Sequence, residues 1–291
     1  MSDYKILDNV SMADYCTFKT GGKAKKMYLV SNITGLKEVQ EIIRSLNQKP
    51  YILGNGSNIL VSDKGIEDPI VMLCDDFTKI SVEGDEIVAG AAALLSKVSR
   101  VAYENGLGGA EFASGIPGTV GGAVFMNAGA YGGEMKDIIT SVDLLKDGEL
   151  ITIPGSEMDF SYRHSIAMDK DMVVLSMRIK LSKKDKSEIQ AMMDDFNGRR
   201  REKQPLEYPS AGSTFKRPEG HFAGKLIMDS GLAGFSVGGA KVSEKHCGFI
   251  INYDNATATD IYKLIKKVQE IVLEKQGVKL EPEVRLIGDF E

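Results

Sequence analysis

The sequence has little cysteine and little histidine, with three residues of each kind among 291. Cys16, Cys74 and Cys247 are odd in number and widely spaced, which argues against a disulfide framework or a zinc site and indicates a reducing cytosol. The scarcity of histidine leaves few residues for a metal-dependent hydrolase or a serine–histidine hydrolase.

Long apolar runs are also missing, and positive charge is not in excess. No run reaches the roughly 20 residues of a membrane-spanning helix, and residues 1–11 lack the basic start and apolar middle of a signal peptide. The formal net charge of −5 gives no general attraction to nucleic acid or to anionic membranes. We therefore expect a cytoplasmic protein with neither a nucleic-acid nor a membrane partner, folded as two or three subdomains.

Glycine, in contrast, is abundant and concentrated. Residues 106–133, GLGGAEFASGIPGTVGGAVFMNAGAYGG, hold ten of the 31 glycines. Apolar neighbours such as Val120 and Phe125 distinguish this stretch from a disordered linker. It is either a tight buried corner between strands or a backbone that lies against a flat or phosphorylated ligand, because glycine has no Cβ to hold a ligand away.

A second glycine-rich turn, GNGSN at residues 54–58, lies between two predicted strands. It does not fit the dinucleotide fingerprint, because Ile59 occupies the third glycine position and a strand follows instead of a helix. One interpretation is a phosphate cradle with Ser57 and Asn58 as extra donors, and the other is an Asn-Gly hairpin. Five consecutive turn residues favour the cradle.

Hydrophobic periodicity predicts short strands separated by amphipathic helices. The predicted strands lie at 26–30, 51–53, 59–62, within 70–93, within 138–181, and at 235–242 and 280–287. Three predicted helices lie at 94–105, 187–201 and 223–228. Another is capped by Thr34 and ends before Pro50, and a long C-terminal helix is stopped by Gly277. In the final strand Glu283 and Arg285 should share one face, with Val284 and Leu286 on the other. The basic run 199–203 is interpreted as a solvated helix end.

Five features in this order resemble the UDP-N-acetylenolpyruvoylglucosamine reductase (MurB) family of bacterial peptidoglycan synthesis. They are the two glycine-rich turns, SYRHS at 161–165, AGSTFKRP at 211–218 and LEPEVRLIG at 280–288. The resemblance extends from residue 18 to residue 285. The short link at 207–210 is similar to the type II form, which lacks the tyrosine loop of the longer form.

The resemblance implies an α+β protein with the FAD-binding fold of vanillyl-alcohol oxidase and p-cresol methylhydroxylase. It implies two FAD-binding subdomains, 1–75 and 76–204, and a substrate-binding α+β subdomain, 205–282, with 283–291 returning to the FAD site. The implied cofactors are FAD and NADPH, and a monomer is expected. The implied FAD-binding residues are Gly54, Asn55, Gly56, Ser57 and Asn58 on the pyrophosphate, and Gly115, Pro117, Gly118, Thr119, Gly121, Gly122, Asn127, Ala130 and Tyr131 along the flavin.

In the implied reaction, hydride from NADPH passes through FAD to the enolpyruvyl group of UDP-N-acetylglucosamine-enolpyruvate, giving UDP-N-acetylmuramate. By the same resemblance Ser213 donates the proton, while Arg163 and Glu283 act on the substrate carboxylate as an enolate forms. We expect Glu283 to act in protonated form, or with its charge offset by Arg285. Lys203 and Arg217 are implied to bind the substrate.

Each catalytic candidate also has a structural interpretation. Ser213 could be a loop hydroxyl bonded to its own backbone, Arg163 an exposed strand arginine, and Glu283 a charge that protects an edge strand. Two other functions stay open. One is an FAD oxidoreductase that acts on a small alcohol or hydroxy acid, and the other is a nucleotide-sugar-binding protein without activity.

Overall fold

The computed structural model describes residues 3–170 and 172–290. Two compact units divide the chain. Unit 1 comprises the chain up to Leu7, Met27–Asn55 and Ile70–Arg200, and unit 2 comprises Asp8–Lys26, Gly56–Pro69 and the chain from Arg201 onward. Within the described residues, no helix is both long and apolar enough to cross a membrane.

Short strands alternate with helices along the chain. The strands are β1 (Tyr4–Ser11), β2 (Lys23–Val30), β3 (Tyr51–Leu53), β4 (Ile59–Val61), β5 (Ile70–Leu73), β6 (Ile80–Glu83), β7 (Glu86–Gly90), β8 (Leu107–Gly108), β9 (Gly129–Ala130), β10 (Gly133–Glu134), β11 (Ile139–Lys146), β12 (Glu149–Pro154), β13 (Val173–Lys180), β14 (Ser182–Lys183), β15 (Ser236–Val237), β16 (Ala240–Val242), β17 (Ile250–Asn252) and β18 (Arg285–Ile287). The helices are α1 (Ile33–Ser45), α2 (Leu95–Glu104), α3 (Val120–Phe125), α4 (Ile166–Asp169), α5 (Lys186–Lys203), α6 (Ala223–Asp229) and α7 (Ala258–Gln276). Short 3-10 turns cover Met12–Asp14, Asp75–Thr78, Glu111–Gly115, Met135–Asp137 and Gly155–Glu157.

Unit 1 begins as a β-α-β arrangement. Strand β5 pairs in parallel with β3 and with residues 27–30 of β2. Helix α1 connects β2 to β3 and buries Leu36, Val39 and Ile43. Asn32 caps the helix by accepting a hydrogen bond from the backbone N–H of Gly35. The predicted cap Thr34 was therefore wrong, because the helix begins at Ile33 and Thr34 already lies within its first turn.

The rest of unit 1 is built on an antiparallel sheet in the order β12-β11-β13-β7-β6. Buried residues alternate with less buried ones over residues 175–180 of β13, as expected for a strand with one face on the core. Val142, Leu144 and Met177 of this sheet are fully buried, and helices α2 and α3 contribute Val98 and Val124 to the same hydrophobic core. The sheet thus supplies a rigid base for the glycine-rich stretch between α2 and β11.

Unit 2 contains the three-stranded sheet β15-β16-β17 and the long helix α7. The apolar stripe of α7, predicted from its spacing, is buried along Ile261, Leu264, Ile265 and Val268. Gly277 ends the helix at φ +68°, in the left-handed conformation that glycine adopts without strain. Both the helix and its stop are confirmed.

Strands β4 and β18 form a two-stranded parallel sheet in unit 2, with Ile59 opposite Arg285. Because β3 pairs with β5 and β4 pairs with β18, the turn between them is not a hairpin turn. The predicted alternation over 283–287 is wrong at one position, because Val284 is buried but Leu286 is 40% exposed. The chain bends at Val284, so regular alternation starts only at Arg285.

Candidate functional site

The two glycine-rich segments meet in unit 1. The side-chain amide of Asn55 donates a 2.7 Å hydrogen bond to the carbonyl oxygen of Pro117. Gly54 lies so close to the same segment that a Cβ on it would be 2.6 Å from Oγ1 of Thr119. Residues that are 62 apart in sequence therefore form one continuous backbone surface, and a side chain at Gly54 would disrupt it.

Helix α3 follows directly and was not predicted, because glycine is a poor helix former. Thr119 caps it, with Oγ1 accepting a 3.4 Å hydrogen bond from the N–H of Gly122. The first turn of the helix is fixed to the segment that follows β7, since Val120 and Gly121 donate to the carbonyl oxygens of Ala93 and Ala91. The glycine-rich stretch is thus an ordered surface held by backbone bonds.

The remainder of the first turn belongs to unit 2 and contacts the segment around Glu283. The side-chain amide of Asn58 donates to the carbonyl oxygen of Glu283 at 3.2 Å. In return, the N–H of Arg285 donates to the carbonyl oxygen of Asn58 at 3.0 Å. One of the two amide hydrogens of Asn58 is therefore used in the contact with the segment around Glu283.

Asn127 organises the region before SYRHS, and its side chain is fully buried. Its amide nitrogen donates to the carbonyl oxygen of Ser161 at 3.0 Å and to the carboxylate of Glu134 at 3.1 Å. Its amide oxygen accepts from the N–H of Lys136 at 2.9 Å. A hydrogen bond from Lys136, followed by the one from Asn127, lowers the pKa of Glu134. Since these bonds occupy the side chain, contact with a flavin would have to come from the backbone of Asn127.

Arg163 lies at the tip of a tight turn. Ser161 and His164 exchange two backbone hydrogen bonds across it, and Arg163 has φ +58°. Its guanidinium carbon lies 4.9 Å from the centre of the Tyr162 ring. The interpretation of Arg163 as a strand arginine is therefore wrong, since the residue occupies a turn that Asn127 holds in place.

A second cluster in unit 1 surrounds Tyr131. Its ring stacks on Phe196 of helix α5, with ring centres 4.8 Å apart and planes within 2°. The guanidinium of Arg200, one helical turn further on, lies 6.0 Å from the Tyr131 ring. Asn197, on the same helix, donates a 3.2 Å hydrogen bond to Ser114. This cluster holds α5 against the glycine-rich stretch.

Arg200 was not singled out from the sequence, where it is one of five residues in the charged helix end. The end of α5 is indeed exposed at Arg201, Glu202 and Lys203, but Arg200 is half-buried. A signal was available, because Phe196 and Arg200 are four residues apart and so share one helix face.

In unit 2 the backbone next to Ser213 is hydrogen-bonded to the backbone of Glu283. The N–H of Glu283 donates a 2.8 Å hydrogen bond to the carbonyl oxygen of Thr214, and Phe215 bridges to Pro282. Ser213 is exposed, and its hydroxyl makes no hydrogen bond to any residue within 3–170 or 172–290. The interpretation of Ser213 as a hydroxyl bonded to its own backbone is therefore wrong.

Thr214 also fixes a second segment that sequence distance concealed. Its N–H donates to the carbonyl oxygen of Gly248 at 2.8 Å, and its Oγ1 accepts from the N–H of Ile250 at 3.0 Å. Gly248 in turn donates to Nδ1 of His246. Burial lowers the pKa of His246, so this ring is neutral near pH 7.

The two cationic candidates of unit 2 have different surroundings. Lys203 is exposed at the last residue of α5. Arg217 stacks on Phe222, with its guanidinium carbon 4.0 Å from the ring centre, and its Nε donates to the carbonyl oxygen of His221 at 3.4 Å. Stacking orients the planar guanidinium of Arg217, the geometry that an arginine uses to bind a carboxylate or a phosphate.

Two family models match the chain. One described as "UDP-N-acetylenolpyruvoylglucosamine reductase, C-terminal domain" matches residues 204–287, and one described as "FAD binding domain" matches residues 28–154. The two matches confirm the predicted FAD-binding fold with a C-terminal domain, and FAD as the cofactor.

Curated relatives cover nearly the whole chain. The UDP-N-acetylenolpyruvoylglucosamine reductase of Agathobacter rectalis is 50% identical over 98% of this chain and 95% of its own length. The reductase of Exiguobacterium sibiricum is 54% identical over 98% and 93%. A solved structure, the UDP-N-acetylenolpyruvylglucosamine reductase (MurB) from Thermus caldophilus, is similar with a TM-score of 0.85 and 35% identity over 98% of this chain and 99% of that chain.

Proposed function

Because the chain belongs to the UDP-N-acetylenolpyruvoylglucosamine reductase family, we propose that it reduces the enolpyruvyl group of UDP-N-acetylenolpyruvoylglucosamine to give UDP-N-acetylmuramate. NADPH supplies the hydride through FAD. The product enters peptidoglycan synthesis in the cytoplasm and so serves the cell wall, cell shape and cell division. The enzyme works as a monomer. The observation that carries the proposal is identity of about half over almost the full length of both chains.

The residues around the glycine-rich segments fit FAD. At Gly54, a Cβ would fill the space between the two segments. Beside Gly115, Arg200 has a buried Nε without a hydrogen-bond partner among the described residues. We propose that residues 54–58 hold the pyrophosphate and that residues 115–131 lie along the flavin. When bound, FAD accepts a hydride from NADPH and delivers it to the substrate. The protein has to orient both partners and to stabilise the charge that develops on the substrate.

Ser213 is the proposed proton donor. A serine hydroxyl is a weak acid, so it protonates only a strong base such as the α-carbon of the enolate. The Ser213 hydroxyl has no hydrogen-bond acceptor among the described residues of unit 2, which supports this role because its proton is not already donated to another protein group. The Thr214–Glu283 hydrogen bond keeps both side chains on adjacent backbone.

Glu283 and Arg163 are proposed to act on the substrate carboxylate. The planar fork of an arginine matches a carboxylate in two parallel hydrogen bonds. An ionised Glu283 would repel the negative charge of the enolate. It therefore acts either as the neutral acid or with its charge offset by Arg285. Lys203 and Arg217 are proposed to bind the diphosphate of the nucleotide sugar. We also propose residues 1–75 and 76–204 as FAD-binding subdomains, with 283–291 returning to the FAD, and 205–282 as the substrate-binding subdomain.

The absorption spectrum of the purified protein tests the proposal. A flavin spectrum should bleach with anaerobic NADPH and return when UDP-N-acetylenolpyruvoylglucosamine is added. Bleaching without return would favour an FAD oxidoreductase for a small alcohol or hydroxy acid. A protein that binds no FAD after reconstitution would favour a nucleotide-sugar-binding protein.

A further inference from the structure

The guanidinium of Arg200 has no carboxylate partner among residues 3–170 and 172–290. Its Nε is buried and makes no hydrogen bond, and no residue within 3–170 or 172–290 accepts a hydrogen bond or forms an ion pair with its guanidinium. The preceding residue shows the ordinary alternative, because Arg199 pairs with Asp195 at 2.7 Å. A guanidinium is always charged, and removing one from water without an acceptor is unfavourable.

Packing holds Arg200 beside the glycine-rich stretch. A Cβ on Gly115 would lie 3.1 Å from both Nε and Cζ of Arg200, and 2.6 Å from Oδ1 of Asn197. The Tyr131 ring covers another side at 6.0 Å, and Phe196 backs that ring. Gly115 and Tyr131 are both proposed flavin-binding residues, so the unpaired donors of Arg200 are placed where the flavin is proposed to lie.

We propose that Arg200 binds the N1–C2=O edge of the flavin and stabilises the negative charge of the reduced ring. The proposal rests on the FAD site proposed above. The isoalloxazine ring has an apolar dimethylbenzene end and a pyrimidine end with carbonyl and nitrogen acceptors, and only the latter suits a guanidinium. Hydride transfer from NADPH to N5 gives NADP⁺ and leaves the ring with one negative charge shared by N1 and O2. A fixed cation at that edge favours the reduced ring over the neutral oxidised one.

Such a residue changes the equilibrium between the two redox states. For a two-electron couple, each tenfold difference in affinity between reduced and oxidised FAD shifts the midpoint potential by about 30 mV. Arg200→Ala should weaken binding of reduced FAD at least tenfold more than binding of oxidised FAD. The midpoint potential of the bound flavin should fall by that amount or more.

The experiment compares the FAD-loaded wild type with Arg200→Ala, Arg200→Gln and Arg200→Lys, with Arg199→Ala as the matched control from the same helix. Midpoint potentials are measured by equilibration with a reference dye. Sulfite affinity gives an independent readout, because the sulfite lone pair forms a bond to N5 and leaves the same negative charge on the ring. The uncharged variants should bind sulfite at least tenfold more weakly, Arg200→Lys should recover part of both effects, and Arg199→Ala should match the wild type.

Three results would overturn the proposal. The first is a midpoint potential and a sulfite affinity that are unchanged in Arg200→Ala. The second is an equal loss of affinity for oxidised and reduced FAD in Arg200→Ala, which would place Arg200 on the pyrophosphate. If Arg200→Ala holds no flavin, Arg200→Gln decides. The third result is that both uncharged variants lose FAD while Arg200→Lys keeps it. The positive charge would then be needed to bind the oxidised cofactor, not to stabilise the reduced one. A wild type that binds no FAD would instead refute the proposed function.

Discussion

The backbone N–H of Glu283 donates a 2.8 Å hydrogen bond to the carbonyl oxygen of Thr214, the residue after Ser213. This bond joins the AGSTF and PEVR motifs, which are about seventy positions apart in sequence. Because Thr214 also bonds to Gly248 and Ile250, three segments of unit 2 fix the backbone that carries Ser213. The serine is therefore exposed but not loosely held.

Replacement of Ser213 by alanine should separate the two halves of the reaction. Flavin reduction by NADPH should stay within about twofold of the wild type. Flavin reoxidation by the enolpyruvyl substrate should slow by roughly 10²–10⁴-fold, as expected for loss of a general acid. Stopped-flow absorbance measures each half separately. Ser236→Ala, at an exposed serine of the same unit, is the control, and an equal loss in both halves would indicate a folding defect.

Gly54 and Thr119 offer a double-mutant test of the contact between the glycine-rich segments. Gly54→Ala should weaken FAD binding about tenfold, because its Cβ would lie 2.6 Å from Oγ1 of Thr119. Thr119→Ala removes that oxygen at the cost of the α3 cap, about 1 kcal/mol. In the double variant the two losses should be clearly less than additive. Titration of the apoprotein with FAD measures them, and full additivity would contradict the contact.

His164 should make stability depend on pH. Nδ1 faces the carbonyl oxygen of Asp159 at 3.1 Å and Nε2 faces the carboxylate of Asp169 at 2.9 Å, so both ring nitrogens have acceptors. The hydrogen bond to the Asp159 backbone, followed by the bond to Asp169, raises the pKa of His164. A raised folded-state pKa stabilises the protein below the unfolded value of about 6.5, and this stability is lost as the pH rises through the folded value.

The variant His164→Gln should therefore be less stable than the wild type at pH 5.5, and the difference should shrink by pH 9. Urea unfolding at a series of pH values measures it. His221→Gln, at an exposed histidine, is the control for replacing a histidine by glutamine. A difference between His164→Gln and the wild type that grows with pH would have the wrong sign for this account.

Asp63 should stabilise helix α7. Its carboxylate accepts hydrogen bonds from the N–H groups of Ala258 and Thr259 and from the Thr259 hydroxyl, at 2.6–2.9 Å. A carboxylate at a helix N-terminus satisfies unpaired donors and interacts favourably with the helix dipole. Asp63→Ala should lower the free energy of unfolding by about 1 kcal/mol. Asp68→Ala, at an exposed residue on the same connection, should leave it unchanged.

The sequence predicted those features that depend on local pattern. Helix α7 and its Gly277 stop, helix α2 and the strands around β11 and β13 follow from periodicity and end signals. Thr34 was wrong as a cap because Asn32, which the sequence analysis did not consider, caps the helix from two positions earlier. Helix α3 was missed because burial against the sheet and the Thr119 cap outweigh the low helix propensity of its glycines.

The site was predictable in its motifs but not in its side-chain contacts. The resemblance drew attention to Ser213, Glu283 and Arg163, whose roles stay predictions. It did not reveal that the side chain of Asn127 is fully engaged within the protein, or that Arg200 differs from the charged residues beside it. Both facts depend on contacts between distant segments, and no local pattern encodes those.

The pairing of β4 with β18 has a consequence for synthesis on the ribosome. In the described residues β4 pairs with β18 alone, and the Asn58–Glu283 contact beside it joins positions 225 residues apart. The chain leaves the ribosome N-terminus first. Strand β4, which follows the GNGSN turn, therefore has no partner strand until residues 283–287 are translated. The nascent chain must therefore keep the apolar Ile59–Val61 segment from aggregating, and it becomes able to complete this turn only when nearly all of the described sequence has been made.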